Sequence, residues 1–407
     1  MKREPGPALR VAIDPPLYLD VCATTPLLAV AQQAMADAQR LAWANPSSLH
    51  GFGLAAAELL ERSRGQLAAC LGTTASSVLF CSGATESVHL ALLGAAAGLT
   101  PGRLLVSAVE HPAVAAAARQ LEQRGWQLET LPVDGCGCVD LNALEALLAP
   151  PTRLVSVIWA QSEVGTLQPI EAIGQLCRQA GVLFHTDAVQ WAPHGAIAFD
   201  QLPIDLLTLT AHKLGGPRGI AALLRRPGVA ITAQLGGGPQ ELGLRAGTEP
   251  LPLVAGFAAA LQATVAAREA GQVERIRAQR DRLLHTLLAR PQFHLSGPEP
   301  SPQGRLPHHI SLVVRDAAGR PVPGRLLVRA LWQQGIAASS GSACRSGGAT
   351  LGPSPVLQAM GYDAATAAAG LRLSLGSDLS ELQLAAVPEA LAAAIACCSG
   401  PATGAAV

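Results

Sequence analysis

Residues 154–190 read LVSVIWAQSEVGTLQPIEAIGQLCRQAGVLFHTDAVQ, and this stretch decides the fold. It opens on the apolar run Leu154-Val155-Ser156-Val157-Ile158, passes Pro169 into a helical pattern that lasts to Ala180, and returns to an apolar run at Val182-Leu183-Phe184. Short runs rich in Leu and β-branched residues on either side of a helix are strands buried on both faces, which is how a parallel sheet reads. The unit recurs on both sides. Val78-Leu79-Phe80 precedes Gly83 and a helical stretch from Thr85, and Leu104-Leu105-Val106 precedes Pro112 and an alanine-rich run through Leu121. Leu206-Leu207-Thr208-Leu209 and Ile220-Ala221-Ala222-Leu223-Leu224 add two further strands. The pattern predicts an α/β protein whose mostly parallel sheet is sandwiched by helices.

A long helical stretch then runs from Leu251 through Val273 and Leu287, followed by Pro/Gly-rich sequence at 296–307. A smaller α/β pattern follows, with an apolar run at Ile310–Val314, a helix from Val328 to Gln334, a Gly/Ser/Ala-rich stretch at 339–352, a run at Leu371–Leu375 and a last helix to Ala394. This divides the chain into a large domain over 17–260 and a small C-terminal domain over 261–398, with residues 1–16 placed near the latter.

Of the 407 residues 49% are hydrophobic and 14% charged, enough apolar surface for a large core and too much for a disordered chain. Twenty-nine basic and 29 acidic side chains cancel, so no field draws the protein to phosphate backbones, and nucleic acid is not expected as a partner. No uninterrupted apolar run reaches the roughly 18 residues of a membrane span, and the N-terminus lacks the apolar segment of a signal peptide. The nine cysteines are scattered and odd in number, which suits free thiols in a reducing, cytoplasmic setting and gives no metal-ligand spacing.

Lysine occurs only at Lys2 and Lys213, so arginine carries nearly all the positive charge and the one interior lysine needs a reason. It stands in Thr210-Ala211-His212-Lys213, at the end of an apolar run. Other polar clusters follow other runs: Cys81-Ser82-Gly83-Ala84-Thr85-Glu86, Glu110-His111, and His185-Thr186-Asp187-Ala188-Val189-Gln190. Each alone has an ordinary reading, an N-cap by Ser82 or Thr85, a cap by His111, a cap by Asp187. Together they are more specific. An aldehyde cofactor needs an amine to hold it, a carboxylate to keep a pyridine nitrogen protonated and a helix N-terminus for its phosphate. Lys213, Asp187 and Thr85 supply the three from separate strand ends, and pyridoxal 5'-phosphate is the cofactor that fits.

With these segments in hand the chain resembles the cysteine desulfurases of the class V aminotransferase family, of the type with a long cysteine loop. The resemblance rests on Tyr18-Leu19-Asp20 with Ala23-Thr24-Thr25-Pro26, Asn45-Pro46-Ser47-Ser48 with His50, and Ser82 through Ser87. It continues through Glu110-His111, Thr186-Asp187-Ala188 with Gln190, His212-Lys213, and Gly236-Gly237-Gly238 with Arg245 and Gly247-Thr248. Ser339 through Cys344 and Arg372 with Ser374-Leu375-Gly376 complete it, in the family's order over about residues 18 to 390. The resemblance implies the type I fold of pyridoxal-phosphate transferases and a homodimer. Lys213 would bond the cofactor and carry the substrate's Cα proton, Asp187 would pair with the pyridine nitrogen, Gln190 would bond the phenolic oxygen, and His111 would stack on the ring. Ala84, Thr85, Thr210 and His212 would bind the phosphate, with Thr248 reaching the neighbouring subunit's cofactor. Arg372 would clamp the substrate carboxylate, and Asn45 would line the substrate site.

Cys344 is the nucleophile the resemblance implies: a thiol in a Gly/Ser/Ala-rich loop that takes sulfur from L-cysteine as a persulfide, with Arg345 favouring the thiolate, and hands it to an acceptor protein such as an iron–sulfur scaffold. The chain departs from the family at Ser162, which stands where an asparagine approaches the cofactor. It departs again at Leu242, where an arginine is common, with one residue extra before it, and Thr210 replaces a serine. Two other readings are open: a selenocysteine lyase or other β-lyase with the same cofactor, and a non-catalytic paralogue acting as a binding partner.

Overall fold

The computed structural model describes residues 16–341 and 352–399; Cys344 and Arg345 lie outside the described residues. The strands are β1 Leu17–Tyr18, β2 Val78–Cys81, β3 Arg103–Ser107, β4 Gln127–Leu131, β5 Thr152–Ser156, β6 Leu183–Asp187, β7 Leu206–Thr210, β8 Ala221–Arg225, β9 Phe293–Leu295, β10 His309–Val314, β11 Ile336–Ala337 and β12 Gly370–Ser374. Seven of them form one sheet in the order β2-β8-β7-β6-β5-β3-β4. β8 runs antiparallel to β2 and β7, and the other neighbours are parallel. The apolar runs at 154–158, 182–184 and 206–209 are thus central strands, covered on both faces, as their lack of polar alternation requires.

β4 is a strand that the hydrophobic pattern does not mark. It is an edge strand in which only Leu131 is buried, so Gln127, Glu129 and Thr130 carry no apolar signal. The helical stretch after Leu251 is two helices. Among those the site depends on are α1 Ala29–Leu41, α2 Gly51–Cys70, α3 Ala84–His89, α4 Pro112–Glu122, α5 Leu141–Leu147, α6 Ile170–Ala180, α7 Leu251–Glu269 and α8 Gln272–Leu288. The break between α7 and α8 falls at Gly271, whose φ of +77° is left-handed and open to glycine at little cost.

Two main apolar clusters result. One lies between the seven-stranded sheet and its helices and includes Leu67, Val155, Phe184, Leu207 and Phe257. The other gathers Leu284, Ile310, Leu312, Leu371 and Leu391 from the C-terminal third together with Leu17 and Leu19. β1 pairs in parallel with β11, and β9, β10 and β12 form a separate antiparallel sheet. Two described helices, Leu251–Glu269 and Glu381–Cys398, have the length and composition of a membrane span. Both also bury residues in these cores: Val254, Phe257 and Leu261 of the first, and Val387, Leu391 and Ala394 of the second. That places them as interior helices of a packed α/β body.

Candidate active site

The polar clusters sit where the parallel strands end, the edge at which open α/β sheets bind ligands. Asp187 is the last residue of β6. It is buried, and its Oδ1 accepts the Val189 N–H at 2.9 Å, so it also shapes the turn that follows. That turn brings Gln190 inward, where Nε2 donates to the Cys22 carbonyl at 2.9 Å. Lys213 closes the short turn after β7, and Nζ donates to the same Cys22 carbonyl and to that of Ala23 at 2.7 Å. One backbone carbonyl therefore gathers the amine and the amide. Burial raises the pKa of Asp187, and the charges of His111 and Lys213 pull it back down, so all three share one electrostatic neighbourhood. Positive charge against this carboxyl favours its ionised form and so opposes the effect of burial.

His111 is the N-cap of α4, with Pro112 behind it, and Nδ1 accepts the Ala113 N–H at 3.2 Å. An acceptor Nδ1 leaves the ring proton on Nε2. At α3 the first residues are Ala84 and Thr85, in a helix that runs on without a break to residue 96. The N-cap is Gly83, with no side-chain cap, so neither Ser82 nor Thr85 plays that part; instead Glu86 Oε2 accepts the Ser82 N–H at 2.6 Å. The Thr210 hydroxyl is engaged with the Ile220 carbonyl at 3.0 Å and His212 Nδ1 lies 3.1 Å from the Thr24 hydroxyl. Burial first, then Lys213 and Arg218, hold His212 down to about 4, so it is neutral at pH 7.

Arg372, expected to clamp the substrate carboxylate, is 2% exposed. Its guanidinium pairs with Asp20 at 2.6 Å and donates to the Ser162 carbonyl at 3.0 Å, while Nε has no hydrogen-bond partner among the described residues. The Ser162 carbonyl also faces His309 Nε2 at 3.1 Å. Asn45 and Thr248 stand apart from this cluster. Asn45 is exposed with Oδ1 on the Ser47 N–H at 2.9 Å, and Thr248 is exposed in the glycine-rich loop. No group of three or more metal-ligating side chains occurs among the described residues.

Several site residues had no role assigned from sequence. Cys22 holds Lys213 and Gln190 through its carbonyl, and its Sγ lies 3.1 Å from His308 Nε2; burial pushes this thiol's pKa up. Asp20 pairs with Arg372. Glu110, beside His111, accepts from Ser107 Oγ at 2.5 Å and from the Ile158 N–H at 2.7 Å, and burial raises it to about 8. Beneath the cluster a buried chain runs from Ser87 through Thr208 (2.9 Å) and His185 (3.1 Å) to Ser156 (2.9 Å). Asp20 and Cys22 stand in the segment from Tyr18 to Pro26 that carries the resemblance, so a signal existed; the His185 chain leaves none, since it joins four separate elements.

An amine, an ionisable carboxyl, an amide and a histidine at the strand ends of one sheet form the constellation of an enzyme that holds an aldehyde cofactor. The class V aminotransferase model matches residues 17–387, and the chain belongs to that family and to its cysteine desulfurases. It is 40% identical over 364 residues to the cysteine desulfurase of Cereibacter sphaeroides, covering 88% of this chain and 90% of that one. Among solved structures a NifS-like protein superimposes with a TM-score of 0.84 at 30% identity, over 94% of this chain and 99% of that one. SspA in complex with cysteine superimposes with a TM-score of 0.76 at 30% identity, over 88% and 98% of the two chains. The type I fold and the family expected from the sequence are thus found, and the family is one of pyridoxal-phosphate enzymes.

Proposed function

We propose that this protein is a pyridoxal-phosphate-dependent cysteine desulfurase, a homodimer that converts L-cysteine to L-alanine and leaves the sulfur on Cys344 for an acceptor protein such as an iron–sulfur scaffold. The observation that carries the reading is the convergence of Lys213 and Gln190 on one carbonyl beside Asp187, in a chain of this family. The donor set fits the cofactor: Lys213 to hold its aldehyde, Asp187 its ring nitrogen, Gln190 its phenolic oxygen, and Ala84, Thr85, Thr210 and His212 its phosphate. When bound, the cofactor supplies an electron sink for the carbon next to the substrate amine.

The chain's own residues do the rest. Lys213 Nζ, the amine nearest Asp187, would carry the substrate's Cα proton. His111, with Nδ1 engaged and the proton on Nε2, is set to give or take a proton at the ring edge. Arg372 receives the substrate carboxylate, and its unpartnered Nε is a donor left over for that purpose. The Cys344 thiolate attacks the substrate sulfur. The bond from sulfur to Cβ breaks as the new S–S bond forms, so L-cysteine and a thiol become L-alanine and a persulfide with no other reactant.

Two features support the homodimer. Trp43, Leu49, Phe52 and Leu54 are 64%, 92%, 64% and 58% exposed, with the Trp43 and Phe52 rings 5.6 Å apart, a run of large apolar side chains left open to solvent within twelve residues. Asn45 lies on the same segment, so a partner seated there would bring it toward a substrate site, and Thr248 is exposed where a second subunit's cofactor could be reached. The eight cysteines of the described residues are free, in keeping with a reducing, cytoplasmic compartment.

The test is direct. The purified protein should show the visible absorbance of a lysine-bound aldehyde and release alanine and sulfide from cysteine. Lys213→Ala should lose the band, and an unchanged spectrum overturns the assignment of the lysine. Cys344→Ser should keep the band and form no persulfide; wild-type sulfide release by this variant removes Cys344 from the mechanism.

A further inference from the structure

The loop that follows β8 contains two non-glycine residues in the left-handed region, Glu241 at φ +49° and Leu242 at φ +60°, followed by Gly243 at φ +74°. Side chains of L-residues resist this conformation, and it persists only where the surroundings over-determine it. Here the surroundings are the Glu241 carboxylate. It takes a two-point ion pair from Arg64 of α2, at 2.7 and 2.8 Å, and accepts the Phe80 N–H at 2.8 Å. Arg64 also donates to the Val78 carbonyl at 3.0 Å, and the two side chains are 10% and 2% exposed. Phe80 and Val78 belong to β2, the edge strand of the sheet. Donor and acceptor on that edge are thus satisfied by a glutamate and an arginine, which do what a further strand would otherwise do.

β2 leads straight into Ser82-Gly83 and the first turn of the helix, the cradle assigned to the cofactor phosphate. The loop touches this cradle a second time. Arg245 pairs with Glu86 at 2.8 and 3.3 Å, and Glu86 is the residue that receives the Ser82 N–H. Without Arg245, Glu86 would set a bare negative charge beside an incoming phosphate.

Resting on the cofactor reading above, we propose that Arg64–Glu241 and Arg245–Glu86 form a clasp that fixes the cradle's shape and cancels its one acidic charge, so that the site discriminates in favour of a phosphorylated aldehyde. These are positioning residues. Glu241 and Arg64 hold the strand and the strained loop, and Arg245 and Glu86 hold the turn.

The experiment titrates cofactor-free full-length protein with pyridoxal phosphate and, separately, with pyridoxal, which lacks the phosphate, following the absorbance of the lysine-bound aldehyde. Arg245→Gln and Glu241→Gln should each weaken pyridoxal phosphate about tenfold or more, the loss expected when a charged hydrogen bond is removed. Affinity for pyridoxal should hold. A general loss of structure would weaken both aldehydes alike, so equal losses overturn the clasp, as does unchanged affinity for pyridoxal phosphate. Should Glu241→Gln fail to fold, Arg245→Gln decides, because it leaves the buried Arg64–Glu241 pair in place. A wild-type chain that takes up neither aldehyde is a separate failure, that of the cofactor reading, and the clasp falls with it.

Discussion

Lowering the pH from 7 to 5 should weaken this protein, and the His185→Gln variant should weaken less. His185 is fully buried, with one ring nitrogen on Ser156 Oγ at 2.9 Å and the other on Thr208 Oγ1 at 3.1 Å. Burial pushes it down to about 3 from the ordinary 6.5. The unfolded chain therefore takes a proton at this residue near pH 6.5 that the folded chain refuses until about pH 3. The stability of the neutral buried form is fully present above 6.5 and is lost as pH falls through that window. By linkage the loss between pH 7 and 5 is about 2 kcal/mol for this residue alone. His194 is likewise held down to about 3 by burial and adds a similar amount. Glu110 acts in the opposite sense: raised to about 8, it gives stability that is present at low pH and lost on going up, so it offsets part of the fall. The assay is urea denaturation of wild type and His185→Gln at pH 7, 6 and 5. The two stability curves should converge by about 2 kcal/mol at pH 5. Parallel curves would refute the claim that His185 is buried neutral.

Gly174→Ala should lower stability by about 2 kcal/mol, because a Cβ at this position on α6 would lie 2.2 Å from the Pro203 carbonyl oxygen, and overpacking against backbone has no cheap relief; a thermal melt matching wild type removes that contact. Ser162→Asn should raise turnover with cysteine without changing the cofactor spectrum, since it restores an amide on the segment whose carbonyl receives Arg372. A steady-state assay with no gain would mean that the contact is supplied by another group.

The sheet was legible because its central strands are buried on both faces and so write continuous apolar runs, as at Leu206–Thr210. β4 was not, because an edge strand with one buried residue has no such pattern. Lys213, Asp187 and His111 could be found because each follows a strand and each carries a chemistry that a cap alone does not need. Glu110 and Cys22 stood in plain view beside residues that were given roles. What they do depends on the Ile158 N–H that reaches Glu110 and on the Cys22 carbonyl that receives the Lys213 and Gln190 side chains, and sequence spacing holds no record of those distances. The clasp between Arg64 and Glu241 was hidden for the same reason, being 177 residues apart along the chain.

Asp20 and Arg372 are separated by 352 residues, yet they share an ion pair, and Leu17 and Leu19 sit in the core built by the C-terminal third. A ribosome delivers the lysine's strand ends long before it delivers Arg372. Yet the Cys22 carbonyl that gathers Lys213 and Gln190 is fastened by the last sheet, where Ser374 Oγ accepts the Cys22 N–H at 3.0 Å, so the cluster is sewn up only when that sheet reaches back to the first residues. A chain halted in between would lack both the arginine that pairs with Asp20 and the serine hydroxyl that fastens Cys22.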